Sequence, residues 1–326
     1  MLQRIVLMDT SIASENGGDK IIMDYCQKNM FDSVHNTYFC HVPTHDYMSR
    51  GSYDKIDSSS LCVVCGTNLL SSNMNKYNQW KIDFRDVKHI RNKVILLGVG
   101  WWQYQDCPNL YTRKLLKTIL MTTGLHSVRD RYTEKMLKSI GIYNVIYTGC
   151  PTMWGLTTDV LKSIPQKKAR DVVFTLTNYS KDIKADKIMY NLLKQNYEHI
   201  AVWMQAFEDY EYLCELGIEE DVEIINPSLN SYEYYLQTHE CDYVGTRLHA
   251  GIKALNYGKR TIIISVDNRA TEISKDTNLC VVKREKIEEV LDAVINEDYV
   301  ADIKMPWDNI IIWKENIQKQ LENVVE

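Results

Sequence analysis

The chain has 326 residues, 45% of them hydrophobic and 25% charged, with a formal net charge of -5 at pH 7. This composition excludes a disordered, collagen-like or disulfide-stapled chain, and the length suggests two domains of roughly 150 residues each. The acidic balance argues against a general nucleic-acid binder, which needs a basic face, while leaving room for a local basic pocket.

The 9 cysteines are odd in number and scattered, so they read as free thiols in a reducing cytoplasm. The apolar run at residues 1–8 is too short for a signal peptide, and no stretch approaches the ~20 apolar residues of a membrane span. A cytosolic protein is expected. In chain order, strand-length apolar runs fall at residues 4–8, 61–65, 93–97, 127–129 and 145–147. A second series falls at 171–175, 200–203, 223–225, 242–244, 261–264 and 279–282. Between them, helical patterns cover 19–28, 113–122, 132–139, 183–197, 210–216, 232–238, 248–256 and 287–296. Asp130 and Ser231 are placed to cap two of these helices. Many of the strand runs are continuously apolar, as buried parallel strands are, so the alternation predicts an α/β protein with parallel sheets.

The two series predict an N-terminal domain over 1–150 and a C-terminal domain over 171–305. Pro151, Gly155 and Pro165 mark a linker at 151–170. Residues 306–326 carry a last amphipathic helix over 306–325, with Trp307, Ile310, Ile311 and Ile317 near one face, expected to pack back on the N-terminal domain.

Glycine is scarce, 14 in all, and Gly66, Gly98, Gly100, Gly149 and Gly245 each follow a strand run, where ligand-facing loops leave a parallel sheet. Asn16-Gly17-Gly18-Asp19 precedes a helix and could offer backbone N–H groups to an anion or sugar, or be an ordinary turn. Cys62 and Cys65 have CxxC spacing but lie in a strand run with no second pair, so they read as small apolar strand residues. The Gly66-Thr67-Asn68 turn behind them is the more informative feature. Gly98-Val99-Gly100-Trp101-Trp102 suits a loop presenting an aromatic face to a sugar, or one packing its tryptophans between domains. In Ser127-Val128-Arg129-Asp130-Arg131, the arginines flank a strand end, and guanidinium is the preferred fork for carboxylate and phosphate. Cys150, in Thr148-Gly149-Cys150-Pro151, has no evident base and reads as structural.

The strongest pattern is Asp242-Tyr243-Val244-Gly245-Thr246-Arg247-Leu248-His249. The strand ends at Gly245, Thr246 is placed to cap the next helix, and Arg247 and His249 stand at its start. A guanidinium, an imidazole and free N–H groups thus share one helix N-terminus. Ser265–Thr271, with Arg269, is a second candidate wall, or a solvated loop.

Ser127-Val128-Arg129-Asp130, Thr148-Gly149-Cys150-Pro151 and Arg247-Leu248-His249-Ala250, in this order, resemble the polysaccharide pyruvyl transferase family. Asn16-Gly17-Gly18-Asp19 and Cys65-Gly66-Thr67 match more loosely. The resemblance implies a GT-B-like fold, two Rossmann-like domains with parallel sheets facing a cleft, the acceptor on the N-terminal side and the donor on the C-terminal side. It implies transfer of pyruvate from phosphoenolpyruvate onto sugar hydroxyls in polysaccharide or cell-surface glycan biosynthesis, forming a ketal. Arg129, Gly245, Thr246, Arg247, Leu248 and Arg269 are then expected to bind donor. Asn16, Gly18, Asp19, Asn68, Trp101 and Trp102 are expected to meet the acceptor.

His249 is the candidate acid/base, since an unperturbed pKa near 6.5 suits both roles, or it binds phosphate as an imidazolium. Arg247 is its catalytic partner on the donor anions. Two departures stand out: Cys150 where the family motif has Asp, and Arg269 where the late loop often has Lys. Phosphoenolpyruvate is the only co-substrate expected, with no separate cofactor, metal or nucleic-acid partner. The expected acceptor is a glycan or lipid-linked sugar, met in the cytoplasm or peripherally at the inner membrane face. Two alternatives stay open: a GT-B-type glycosyltransferase using a nucleotide sugar, and a non-catalytic glycan-binding relative.

Overall fold

A computed structural model describes residues 2–322. Residue 1 and residues 323–326, including the end of the expected tail helix, lie outside the described residues. The chain divides into two compact units, Met1–Ser14 with Ile22–Pro151 and Met305–Glu326, and Glu15–Ile21 with Thr152–Lys304. The turn at 15–21, read from sequence as part of the N-terminal domain, is thus grouped with the second unit.

The first unit carries strands β1 (Gln3–Asp9), β2 (Thr37–Pro43), β3 (Leu61–Cys65), β4 (Val94–Leu97), β5 (His126–Val128) and β6 (Val145–Tyr147). The first four form a parallel sheet in the order β2-β1-β3-β4, and β5 pairs with β6. Val99 bridges Val128, and the Gly98 N–H donates to the Ser127 carbonyl at 3.1 Å, so β5 and β6 extend the ladder beyond β4. Every residue of β3 and β4 is buried, which explains their unbroken apolar sequence. β2 was not foreseen, because an edge strand is only half-buried and its sequence, TYFCHVP, has no clean period. The order of neighbours reverses at β1, so the ends of β1 and β3 flank the switch point where doubly wound sheets bind ligands.

The second unit carries β7 (Asp171–Thr175), β8 (His199–Trp203), β9 (Glu223–Ile225), β10 (Cys241–Gly245), β11 (Thr261–Ser265) and β12 (Val281–Lys283). All pairings are parallel, in the order β12-β11-β10-β7-β8-β9. This is the Rossmann order, and its switch point falls between β7 and β10. Helix Leu248–Asn256, behind β10, is buried from Leu248 through Leu255.

Helix boundaries follow local chemistry. Asp130 caps Arg131–Ser139 as expected, accepting from the Thr133 N–H at 2.7 Å. Ser228, rather than Ser231, caps Leu229–Thr238, accepting from the Ser231 N–H at 3.1 Å. The helix expected over 113–122 runs instead over Leu110–Ile119, capped by Asn109, and Leu120 leaves it to bridge Val94. Helices Thr158–Ser163 and Asn268–Thr277 were read as linker and loop; Thr157 and Asp267 cap them. Helix Trp307–Glu322 belongs to the first unit, where Asn309 Nδ2 donates to the Tyr147 carbonyl at 2.8 Å and Trp313 Nε1 to that of Leu125 at 3.0 Å. Its buried stripe is Ile310, Trp313, Ile317 and Leu321; Trp307 and Ile311, expected on that face, are exposed.

Candidate functional site

The second unit's site is built at the ends of β7, β8 and β10. β10 closes on Gly245, where a Cβ would stand 2.5 Å from Thr175 Oγ1 and 2.7 Å from the Thr175 backbone nitrogen. Only glycine allows the two strands at the switch point to approach this closely. Thr246, expected to cap the following helix, does not; its Oγ1 bonds Thr177 Oγ1 at 2.8 Å and the Thr175 carbonyl at 3.2 Å, tying β10 to β7. Arg247 is the N-cap residue, in extended conformation, and supplies no side-chain cap. The first N–H groups of helix Leu248–Asn256 therefore open at a strand end with a guanidinium before them and His249 in the first turn. This is the geometry of an anion site.

Arg247 and His249 are nevertheless 2% and 4% exposed, so their surroundings decide what they can do. Arg247 Nε donates to the Leu176 carbonyl at 2.8 Å, and Nη2 to Asn178 Oδ1 at 3.0 Å and to the Asp209 carboxylate. Its guanidinium also lies 5.0 Å from the Tyr179 ring centroid. Asp209 Oδ1 takes in addition the Asn178 N–H at 3.1 Å, and Oδ2 takes the Gln205 and Ala206 N–H groups at 3.1 and 3.0 Å. One buried carboxylate thus joins the loops after β7, β8 and β10. Asp209, Asn178 and Tyr179 were missed in the sequence, where Glu208–Tyr212 reads as an ordinary acidic helix start. Arg269 is held by Asp267, with Nε to Oδ1 and Oδ2 at 3.0 and 2.8 Å, and it bonds the Tyr179 hydroxyl. It walls the same loop from β11.

Asn16 and Gly18 also belong to this unit. Asn16 Oδ1 accepts from the Gly18 N–H at 3.0 Å and from Gln205 Nε2 at 2.7 Å, while the Gly17 N–H donates to the Gln205 carbonyl at 2.6 Å. The Asn-Gly-Gly turn is therefore docked on the loop after β8 rather than open along the first sheet. Asp19, in the first turn of helix Gly17–Ser33, is buried.

In the first unit the structure brings Asn68, Gly100, Arg129 and Asp130 together. Thr67 has φ +50°, a strained conformation for a β-branched residue, and its carbonyl accepts from the Gly100 N–H at 2.8 Å. That strain aims Asn68, whose Oδ1 accepts from Arg129 Nη2 at 2.6 Å. Arg129 Nε and Nη2 both lie 3.3 Å from Asp130 Oδ2. A Cβ on Gly100 would stand 2.3 Å from Arg129 Nη2, so the glycine makes room for the guanidinium. Arg129 is 1% exposed and its Nη1 has no hydrogen-bond partner.

One reading is corrected here. Trp101, expected to stack on a sugar, is fully buried in the first unit's core with Nε1 on Gln105 Oε1 at 3.0 Å. Trp102, half-buried, stacks on Tyr77 at 4.0 Å between ring centroids. Arg131 is exposed, its guanidinium 4.8 Å from the Tyr147 ring centroid, and Cys150 is buried. Among the described residues, no group of three His, Cys, Asp or Glu side chains could hold a metal ion, and no helix is long and apolar enough to cross a membrane.

Two parallel α/β units with ligand-facing loops at their switch points define the GT-B-like class. Among solved structures, the chain resembles the UDP-GlcNAc 2-epimerase of Methanocaldococcus jannaschii in complex with UDP-GlcNAc and UDP, with a TM-score of 0.56 and 12% identity over 98% of this chain and 99% of that one. It also resembles that of Neisseria meningitidis bound to UDP-GlcNAc, with a TM-score of 0.52 and 12% identity over 98% of this chain and 100% of that one. At this identity the likeness is one of fold. No curated protein matches the sequence. The sequence model of polysaccharide pyruvyl transferases matches residues 16–268, and the chain belongs to that family.

Proposed function

We propose that this protein transfers the pyruvyl group of phosphoenolpyruvate to hydroxyls of a glycan or lipid-linked sugar, forming a ketal. The observation that carries the reading is the helix N-terminus at β10, where the N-cap residue Arg247 supplies no side-chain cap and His249 stands in the first turn. It sits in the unit with Rossmann strand order, at the switch point. Helix N–H groups and Arg247 would take the donor's carboxylate and phosphate, with Arg269 at the wall.

In the reaction, a proton adds to the methylene carbon and makes C2 electrophilic. An acceptor oxygen bonds C2, the bond from C2 to the phosphate oxygen breaks with its electron pair leaving on phosphate, and a second hydroxyl closes the ketal. Of the two hydroxyl protons, one balances the new methyl group and the other leaves with phosphate. His249 is the proposed donor of the carbon-bound proton. Asn68 and Trp102, in the first unit, are proposed acceptor contacts. The work is placed in the cytoplasm, at the inner membrane face when the acceptor is lipid-linked.

A thermal-shift panel of phosphoenolpyruvate against UDP, GDP, CDP and CMP tests the donor. At about 100 times its Kd a ligand adds roughly 2.7 kcal/mol, a shift of several degrees. Phosphoenolpyruvate is expected to stabilise the wild type and not Arg247→Ala. Stabilisation by a nucleotide instead transfers the chain to the glycosyltransferase reading. His249→Ala is expected to keep the donor shift and lose phosphate release by about 100-fold or more. Glycan binding without phosphate release from any acceptor would point to a non-catalytic relative.

A further inference from the structure

The reaction just proposed moves protons in opposite senses, one onto the methylene carbon and one off each of two acceptor hydroxyls. Within one step a group cannot be both proton donor and proton acceptor, so the two transfers can be divided between two groups. The second unit offers His249. The first unit holds a histidine that nothing above has used.

His41 lies on β2 opposite Leu7 of β1, and Asp9 is two residues further along β1, so both side chains lie on the same face of the sheet. His41 Nδ1 meets Asp9 Oδ2 at 2.7 Å. A carboxylate only accepts, so Nδ1 carries a proton, and in the neutral ring Nε2 keeps its lone pair. The carboxylate is itself fixed, because Asp9 Oδ1 accepts from both the N–H and the hydroxyl of Ser11 at 2.7 Å. Burial pushes the Asp9 carboxyl up, but the bonds from His41 and Ser11 outweigh it and hold the group below the usual carboxylate range. The Asp9 side chain is 7% exposed and that of His41 31% exposed: the orienting acid is inside and the imidazole reaches solvent. Asp9 is the last residue of β1, the strand at the first unit's switch point. A core histidine would be buried, and a surface ion pair would have neither a buried carboxylate nor two further donors fixing it.

We propose that Asp9 and His41 form a general-base dyad that removes the proton of the sugar hydroxyl, Asp9 being the positioning residue and His41 the catalytic one. The inference rests on the pyruvyl-transfer reading. As the hydroxyl oxygen forms its bond to C2 of the donor, its proton passes to His41 Nε2. The imidazolium then releases that proton, which balances the phosphate leaving with the electron pair of its bond to C2. Asp9 stays ionised throughout and holds the Nδ1–H tautomer, the orienting role that the aspartate plays in hydrolase triads.

The test uses a strain lacking the gene, complemented with wild type, His41→Gln or Asp9→Asn, and reads acid-released pyruvate in its purified cell-surface glycan. Each variant is also purified and its Tm measured with and without phosphoenolpyruvate. Wild type is expected to restore glycan pyruvate. His41→Gln is expected to restore less than a hundredth of the wild-type rate, with its donor shift and ligand-free Tm within two degrees of wild type, roughly the change a half-kcal/mol effect gives. Asp9→Asn is expected to fall between the two. A variant that loses its Tm is read instead through the imidazole 15N shifts of wild type, where a protonated Nε2 overturns the dyad. Equal glycan pyruvate from His41→Gln and wild type overturns it as well. If deleting the gene leaves glycan pyruvate unchanged and phosphoenolpyruvate shifts no Tm, the pyruvyl-transfer reading itself fails, and the dyad's assignment fails with it.

Discussion

Each unit buries an arginine at a strand end, and the two are held in opposite ways. In the second unit, Arg247 gives Nε and Nη2 to a carbonyl, an amide and a carboxylate, and that carboxylate gathers three backbone N–H groups besides. In the first unit, Arg129 has two long contacts to Asp130 and one short bond to Asn68, and its Nη1 is buried without a partner. An unmet buried donor costs about 1–3 kcal/mol, so a fold that keeps one holds it for something other than stability. Arg247 is built as a fixed part of a pocket, and Arg129 as a group with bonding capacity left over. The predictions below test that contrast, beginning with the largest effect.

Asp209→Ala strands Arg247 in the interior and frees three N–H groups at once. Losing one partner of a buried pair costs about 3–5 kcal/mol, so Tm is expected to fall by roughly 6–20 °C, with no phosphoenolpyruvate shift remaining. Asn68→Ala removes one bond from Arg129 and is expected to cost about 1–2 kcal/mol. Equal losses in calorimetry would dissolve the contrast. The adjacent tryptophans sharpen it within one loop: Trp101→Ala is expected to cost about 3–5 kcal/mol as a core truncation. Trp102→Ala, losing only its stack on Tyr77, is expected to cost about 0.5–1.5 kcal/mol and to act on acceptor use instead.

Those tryptophans also show what a sequence conveys. Both follow the same glycines, and only the bridge from Trp101 to Leu70 and the Thr133 hydroxyl on its N–H turn one inward. The parallel α/β organisation was legible because buried strands such as β3, β4 and β11 are apolar without interruption. β2 was not, since an edge strand carries no such signature, and its loss hid His41. Arg247 and His249 stood out because a strand end, a helix start and two cationic residue types coincide within a few positions. Asp209 did not, because its four donors come from residues 178, 205, 206 and 247 and meet only in three dimensions. Thr246 and Ser231 were misplaced as caps for a simpler reason: several hydroxyls precede each helix, and tertiary partners choose among them.

The first unit is also expected to be the more acid-labile at one defined point. His126 is fully buried on β5 and burial pulls its pKa down to about 4. An unfolded histidine titrates near 6.5, so between those values the unfolded chain takes up a proton that the folded chain refuses. Stability is complete above about pH 6.5 and falls as the pH drops toward 4, by up to about 3 kcal/mol from this group. Carboxylates such as Asp9, held low in the fold, add loss of the same sign at lower pH. The difference between wild type and His126→Gln isolates the histidine: their Tm values are expected to converge from pH 7.5 to pH 4.5. Parallel curves would place the acid sensitivity elsewhere.

The smallest effect gives the most direct test of how the two arginines are held. At Gly245 an added Cβ meets the Thr175 backbone nitrogen at 2.7 Å, and a backbone locked between paired strands has nowhere to go. Gly245→Ala is expected to cost about 1–3 kcal/mol as an overpacked core does, with loss of the donor shift because the strand end carrying Arg247 moves. At Gly100 the added Cβ meets Arg129 Nη2 at 2.3 Å, but this is the tip of a flexible side chain, which can swing aside. Gly100→Ala is therefore expected to cost under about 1 kcal/mol, while pulling the guanidinium off Asn68 and reducing turnover several-fold. A stability loss at Gly100 as large as that at Gly245 would mean that Arg129 is as firmly fixed as Arg247. Its unpartnered Nη1 would then be a cost of packing, with no ligand to account for it.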